Sequence, residues 1–378
     1  MGQDIIISKV KNKDNLSLPA FSISNKNGFV PQEEQFGKDN TYSKTDKSSN
    51  YIVSPKYFAY NPARINVGSI AYQNTKTPVL VSSLYEIFRS NNNIDDVFLQ
   101  YWFKSEYFYK QIQRLQEGGV RQYFFIDKMK ESRIYLTKVI EQNKIGALIS
   151  KIDKLITLQQ RKVKLLELLR KAIHNNIFPE YGKEIPVIRH KKFANKWNVV
   201  KFNTIYKKST EKNDLTYGED KIISVAKMYF KQEKNKSSQD YLKTYNVFRI
   251  GDIAFEGNRS EGFSHGRFVQ NTIGNGIVSH VFDVFTPIKK DNLKYWKYAI
   301  HNEHVMKYVL VKSTTKATMM NNLSSKDFLK QSIAIPSSKE MNTIAKLLQD
   351  LDNQLNITNN KINYLQNMKQ FLLQNMFI

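Results

Sequence analysis

The sequence predicts a mixed α/β protein built as two tandem α/β heads, each followed by a long α-helix, with the two helices paired as an antiparallel coiled coil. Three observations carry this. One is a repeat at a fixed offset. Another is an apolar helical seam that recurs in both copies with its exceptions at the same places. The last is a Pro- and Gly-punctuated stretch between the copies. At 378 residues the chain is long for one domain and comfortable for two.

The repeat is plainest at the helices. Gln142 to Phe178 aligns without a gap on Met341 to Phe377 at an offset of 199, with Asn143/Asn342, Ile145/Ile344, Leu148/Leu347, Asp153/Asp352, Lys162/Lys361 and Phe178/Phe377 identical. Upstream, Ala59-Tyr60 corresponds to Ala254-Phe255, Val81 to Phe88 corresponds to Val278 to Phe285, and Tyr101-Trp102 to Tyr295-Trp296. The offset drifts by a few residues between these anchors, as elements of constant length joined by variable loops require. Val278 to Phe285 alternates as a strand, Phe248 to Phe255 reads as a turn feeding a strand, and the Gly, Asn and Ser of Asn258 to Gly276 read as loop. Pro179 to Pro186 reads as linker. The boundaries that follow are head one at 1–137, its helix at 138–178, the linker at 179–192, head two at 193–336 and its helix at 337–378.

Stepping alternately four and three residues from Ile145 gives Ile149, Ile152, Ile156, Gln159, Val163, Leu166, Arg170, Ile173 and Ile177; eight of these ten positions are apolar. The second copy gives Ile344, Leu348, Leu351, Leu355, Thr358, Ile362, Leu365, Lys369, Leu372 and Met376, again eight of ten. Polar seam residues cost stability and fix register, so the coincidence of Gln159 with Thr358 and of Arg170 with Lys369 argues that the helices pair with each other. Leu155, Leu158, Leu165 and Leu169 widen the first stripe, which leaves open two independent helices, each lying on its own head. A parallel pair would stretch the linker to its limit, so the pairing is expected to be antiparallel. Helices of about 33 residues would then hold the heads roughly 50 Å apart, about 15 base pairs of duplex.

The formal charge of +24 and the isoelectric point near 9.7 point to an anionic partner, although Lys and Asn also accumulate in the products of AT-rich genes. With 41% apolar and 12% aromatic residues, the chain fills real cores and is not a disordered polybasic tail. The absence of cysteine removes disulfides, Cys-zinc sites and thiol nucleophiles and fits a cytoplasmic location. The opening residues lack a signal-peptide pattern, and no apolar run spans a bilayer, so no membrane association is expected.

No catalytic constellation is legible in the sequence. Asn61-Pro62-Ala63-Arg64 lacks the second Pro and the aromatic with which an adenine methyltransferase grips a flipped base. Gly274-Asn275-Gly276 has no third Gly at dinucleotide-loop spacing. Asp252 and Glu256 lack the Lys of a metal nuclease. His301-Asn302-Glu303-His304 lacks zinc-helix spacing and reads as a surface feature. No metal and no catalytic residue is assigned. The polar loops suit nucleic acid instead. In head one Asn61, Arg64, Asn66 and Ser69, with Arg121 and Gln122 from a second loop, offer groups able to bond base edges and phosphates. Head two offers Asn258, Arg259, Ser260, His265 and Arg267, with Lys316 from its second loop. Ordinary solvated turn chemistry is the alternative for any single residue. Matched loops that differ while the helices agree are what two heads reading different words would show.

At this point the chain resembles the specificity subunits of type I restriction-modification systems. The resemblance rests on Asn61 to Arg64 followed by Ile65 to Ile70, on Val81-Ser82-Ser83, and on Glu141-Gln142 leading into Ile152 to Leu158. It also rests on the helix endings Asn176-Ile177-Phe178-Pro179 and Asn375-Met376-Phe377. It implies two target-recognition domains that bind a bipartite, asymmetric double-stranded DNA site. It further implies docking of two adenine-N6 methyltransferase subunits and, through them, of restriction endonuclease subunits. The chain itself would then be non-catalytic and need no cofactor, with S-adenosylmethionine, ATP and Mg²⁺ belonging to the partners. One departure is that Met1 aligns with Val200, so head one has no counterpart of Phe193 to Trp197. A self-contained DNA-modifying or DNA-cleaving enzyme with a coiled-coil spacer, and a coiled-coil scaffold for proteins alone, remain the alternatives.

Overall fold

A computed structural model describes residues 1–25, 27–36, 47–118, 122–231, 238–260, 262–316 and 320–377. The chain divides into two compact units, Met1–Arg161 with Asn359–Ile378, and Lys162–Thr358. Each unit therefore holds one α/β head, part of its own long helix and part of the other. Among the described residues no helix is long and apolar enough to cross a membrane.

Unit one is centred on an antiparallel sheet in the order Ile5–Ile7, Glu86–Ser90, Phe58–Tyr60, Ile70–Tyr72. Unit two repeats it with Tyr206–Lys208, Val284–Pro287, Ile253–Glu256 and Arg267–Gln270. The registers agree with the sequence alignment: Ala59 faces Ile87 in one and Ala254 faces Val284 in the other. A two-stranded ladder accompanies each sheet, Tyr51–Val53 with Val79–Val81 and Asn246–Phe248 with Gly276–Val278.

Three expectations are corrected here. Val278 to Phe285 is not one strand: it is the end of one and the start of another, separated by a turn closed by Phe282 N–H donating to Ser279 O at 3.1 Å. The stretch 258–276 contains the strand Arg267–Gln270, which pairs with Ile253–Glu256 and so buries Phe268 and Gln270 despite the Gly and Asn around them. The partner of Tyr101 is Tyr298 and not Tyr295: the Tyr101 hydroxyl donates to Asp153 at 3.0 Å and the Tyr298 hydroxyl to the equivalent Asp352 at 2.8 Å. Tyr295 matches Phe98 instead, for these rings pack on the repeat-related Phe178 and Phe377 at 5.8 and 5.0 Å.

Met1 is the structural counterpart of Phe202 and not, as the alignment placed it, of Val200. Its amino group donates to Ser132 O at 3.0 Å, as Phe202 N–H donates to Gln331 O at 2.9 Å. In unit two the strand Asn198–Lys201 precedes this point and pairs with Ser332–Ile335. The corresponding stretch of unit one, residues 133–136, is not in a strand.

The long helices run Val139–Asn176 and Ser338–Asn375, free of proline throughout, and the first stops just before Pro179. All twenty seam positions are buried or half-buried, whereas Leu155, Leu158, Leu165 and Leu169 are exposed. The widened stripe is therefore not what packs. The pairing is antiparallel, and each unit shows it separately. In unit one Ile152 and Ile156 of the first helix cluster with Leu365 and Leu372 near the end of the second. Two seam exceptions make repeat-equivalent ion pairs: Lys369 with Asp153 at 2.6 Å in unit one and Arg170 with Asp352 at 2.6 Å in unit two. A register slip would strand these charges, which is how a costly seam residue specifies its partner. Thr358 is buried, and its hydroxyl is satisfied by donating to Gln354 O at 2.7 Å. Gln159 is half-buried. The helix starts also serve the heads: Ile145 and Ile149 belong to the core of unit one, Ile344 and Leu348 to that of unit two.

Beside the unit-two core, the amide of Asn302 donates to His174 O at 2.7 Å and lies 3.3 Å from the ring's Nδ1. Burial first, then the nearby Arg170 and His301, lower the His174 imidazole from its ordinary value to about 4. The folded protein thus holds this ring neutral while the unfolded chain takes up a proton near pH 6.5. Stability contributed by the neutral ring is complete above that value and lost as the pH falls toward 4, at about 2 kcal/mol between pH 7 and pH 5. Leu373 stands at the repeat-equivalent position, so His174→Leu is expected to flatten this acid sensitivity. Denaturant unfolding of both proteins at pH 7 and pH 5 measures it, and equal losses in the two would refute the assignment.

Candidate nucleic-acid interface

In unit one the central strand Phe58–Tyr60 runs straight into the first polar loop. Asn61 Oδ1 accepts from Ala63 N at 3.0 Å, a short 3₁₀ turn follows at Ile65–Val67, and Gly68 closes it at φ +88°. Arg64 and Asn66 are exposed on this turn, and Asn61 is half-buried at its base. Ser69 is only 1% exposed and its hydroxyl donates to Ile23 O at 3.1 Å, so it builds the loop and does not face a ligand. The second loop is closed by reciprocal backbone bonds between Glu117 and Tyr123 at 2.9 and 2.7 Å. Gln122 is exposed there, and Arg121 lies outside the described residues. Phe124 N–H donates to Pro62 O at 3.0 Å and joins the two loops.

Unit two makes the same junction with different side chains. Asn321 N–H donates to Gly257 O at 2.9 Å, the counterpart of the Phe124–Pro62 bond. The Asn321 side chain does more: its Oδ1 accepts from Arg259 Nη2 at 3.3 Å and its amide donates to Ser264 O at 3.4 Å. Asn258, Arg259 and Ser260 are exposed on this face, and so is Lys316, which sits directly across from Asn321 in the adjoining hairpin. His265 is half-buried, with its Nδ1 2.8 Å from Ser264 Oγ.

Arg267 is placed differently from its neighbours. Its Nε donates to the buried Glu256 carboxylate at 2.7 Å, and its guanidinium lies over the Phe263 ring at 5.1 Å. Drawing it out to a base would leave Glu256 unpaired, which costs several kcal/mol. Arg267 therefore shapes the loop. His301 departs from the expected surface position: it is half-buried, with Nδ1 3.1 Å from Phe268 O and its ring 4.9 Å from Phe263, whereas His304 is exposed.

Asn321 is the residue that sequence reasoning missed. It lies beyond the loop assigned to its hairpin, and its partners stand 57 and 62 residues earlier in the chain. Gly257 stands opposite it. A Cβ built on it would lie 2.2 Å from Asn321 O, so the two hairpins can meet only over glycine.

Duplicated heads, each presenting a joined pair of polar loops beside paired helices, in a chain of charge +24, define the class of a modular DNA-recognition protein. The chain belongs to the family described as the type I restriction modification DNA specificity domain, whose model matches it twice, over residues 2–168 and 195–367. This is a family of DNA-recognition subunits and not of catalysts. No curated protein matches the chain. Among solved structures it is similar to the HsdS subunit from Thermoanaerobacter tengcongensis, at 16% identity and TM-score 0.56, covering 100% of this chain and 95% of that one. It is also similar to the type I restriction-modification S subunit from M. genitalium, at 12% identity and TM-score 0.55, covering 100% and 94%. A third similar chain comes from a structure on complex assembly and conformational transition of the type I R-M system, at 14% identity and TM-score 0.56, covering 98% and 95%.

Proposed function

We propose that each unit reads one half of a bipartite, asymmetric double-stranded DNA target, and that the long helices dock two adenine-N6 methyltransferase subunits and, through them, restriction subunits. The observation that carries the first part is the pair of equivalent loop junctions with different exposed groups: Arg64, Asn66 and Gln122 in one, Asn258, Arg259 and Lys316 in the other. One frame filled with two sets of side chains reads two words.

Docking of two like partners is supported by the outer helix faces. Leu148 and Leu347, Leu158 and Ile357, and Leu165 and Tyr364 are repeat-equivalent pairs, and all six are exposed. Apolar residues exposed twice in the same positions suit one kind of partner bound twice. S-adenosylmethionine, ATP and Mg²⁺ would then be held by the partner subunits.

Mapping of adenine methylation in cells carrying this chain with its methyltransferase partner tests the reading. Arg259→Ala is expected to cost about 1–3 kcal/mol of discrimination at one half-site and leave the other word intact. Equal relaxation of both words would make Arg259 a general phosphate contact and remove the independence of the units.

A further inference from the structure

A large cleft lies wholly within unit one. It has a volume of about 720 Å³. It opens beside the Ile65–Val67 turn, and its rim gathers four asparagines from three separate elements. Asn25 and Asn27 come from the turn of the hairpin Phe21–Ser24/Gly28–Pro31, Asn66 from the 3₁₀ turn, and Asn74 from the end of the strand Ile70–Tyr72. All four are exposed. Turn formation does not account for Asn74, because the neighbouring buried Gln73 carries out that turn's internal bonding, donating to Thr77 O at 3.1 Å and accepting from Thr75 N at 2.9 Å.

Among the described residues, the cleft's charged lining groups are Lys104 and Glu106. The Lys104 ammonium lies over the Tyr101 ring at 5.3 Å, and Glu106 pairs with Lys110 at 2.9 Å. Both of these charges are thus engaged within the protein. A rim of carboxamides with Tyr109 beside it offers paired donors and acceptors to the edge of a base. Asparagine makes its bidentate pair with adenine, donating to N7 and accepting from N6. The equivalent hairpin turn of unit two, Val225–Met228, holds Ala226 and Lys227 and no amide.

We propose that Asn25, Asn27, Asn66 and Asn74 form an adenine-reading rim, so that the word read by unit one contains A·T pairs recognised through the major-groove N6/N7 edge. This deepens the DNA-recognition reading and rests on it. The test uses the assembled complex with its methyltransferase partner and a duplex carrying the mapped wild-type site. Adenines of the unit-one word, other than the one that becomes methylated, are replaced one at a time by 7-deazaadenine, which lacks the N7 acceptor. The unit-one word is the half left intact by Arg259→Ala. At least one replacement is expected to weaken wild-type binding about tenfold. The same replacement should have no further effect on a protein carrying Asn25→Ala, Asn27→Ala, Asn66→Ala and Asn74→Ala, whose thermal unfolding should match wild type because all four side chains are exposed. An adenine replacement that weakens both proteins equally, or none that weakens either, overturns the rim. A wild-type complex that methylates no bipartite site would fail at the earlier step, and the DNA-recognition reading would fall together with the rim.

Discussion

Four residues inserted in both long helices, after Gln160 and after the repeat-equivalent Asn359, are expected to leave both recognition words unchanged and lengthen the gap between them by about two base pairs. The added length is about 6 Å at 1.5 Å per residue, against about 3.4 Å per base pair. Four residues nearly complete a turn of 3.6, so the seam re-forms with slight local unwinding. Both helices must be extended, because each contributes segments to both units and each interhelical ion pair lies inside a single unit. Lengthening one helix alone sets the Arg170–Asp352 and Lys369–Asp153 pairs against each other. Two residues in place of four would turn the later seam by about 200° and expose it, so that variant is expected to aggregate. Methylation mapping of the four-residue variant should show the original site abandoned for one with a longer gap; the original gap retained would mean that the helices are not the ruler.

Gly257→Ala is expected to erase the word read by unit two while sparing that of unit one. The new methyl would sit 2.2 Å from Asn321 O, a distance no real contact reaches, so the two hairpins must separate. Separation breaks the Asn321–Gly257 backbone bond and carries off the side chain that holds Arg259. Overpacking of this kind costs about 1–3 kcal/mol of stability, and loss of the arginine's aim removes a comparable amount of discrimination. Methylation at sites degenerate in one half and strict in the other is the predicted signature. A variant that keeps both words strict would show that the junction is not what positions the reading groups.

The duplication, the seam and the place of its polar exceptions were legible in the residues themselves. A repeat is a linear property, and a helical stripe depends on spacings of three and four residues. The equivalent registers at Ala59/Ala254 and Ile87/Val284 agree with the alignment of the two copies. Legibility ended where short apolar runs met turns. Val278 to Phe285 alternates like a strand, yet a turn divides it. Arg267–Gln270 sits in Gly- and Asn-rich surroundings, yet pairing with a central strand makes it sheet. The Leu155, Leu158, Leu165 and Leu169 stripe is indistinguishable from a packing face by composition alone, yet it is exposed.

By itself the sequence determined that this protein is two copies of one head and helix, that both helices carry the same seam, and that its loops carry groups suited to DNA. Only the tertiary structure decided which of those groups are already spent. Ser69 serves Ile23 across 46 residues, Arg267 serves Glu256, and Arg259 is steadied by an asparagine 62 residues away. The reason is physical: helical pattern is set by neighbours along the chain, whereas a side chain is committed or available according to partners that only the closed fold brings within hydrogen-bonding distance.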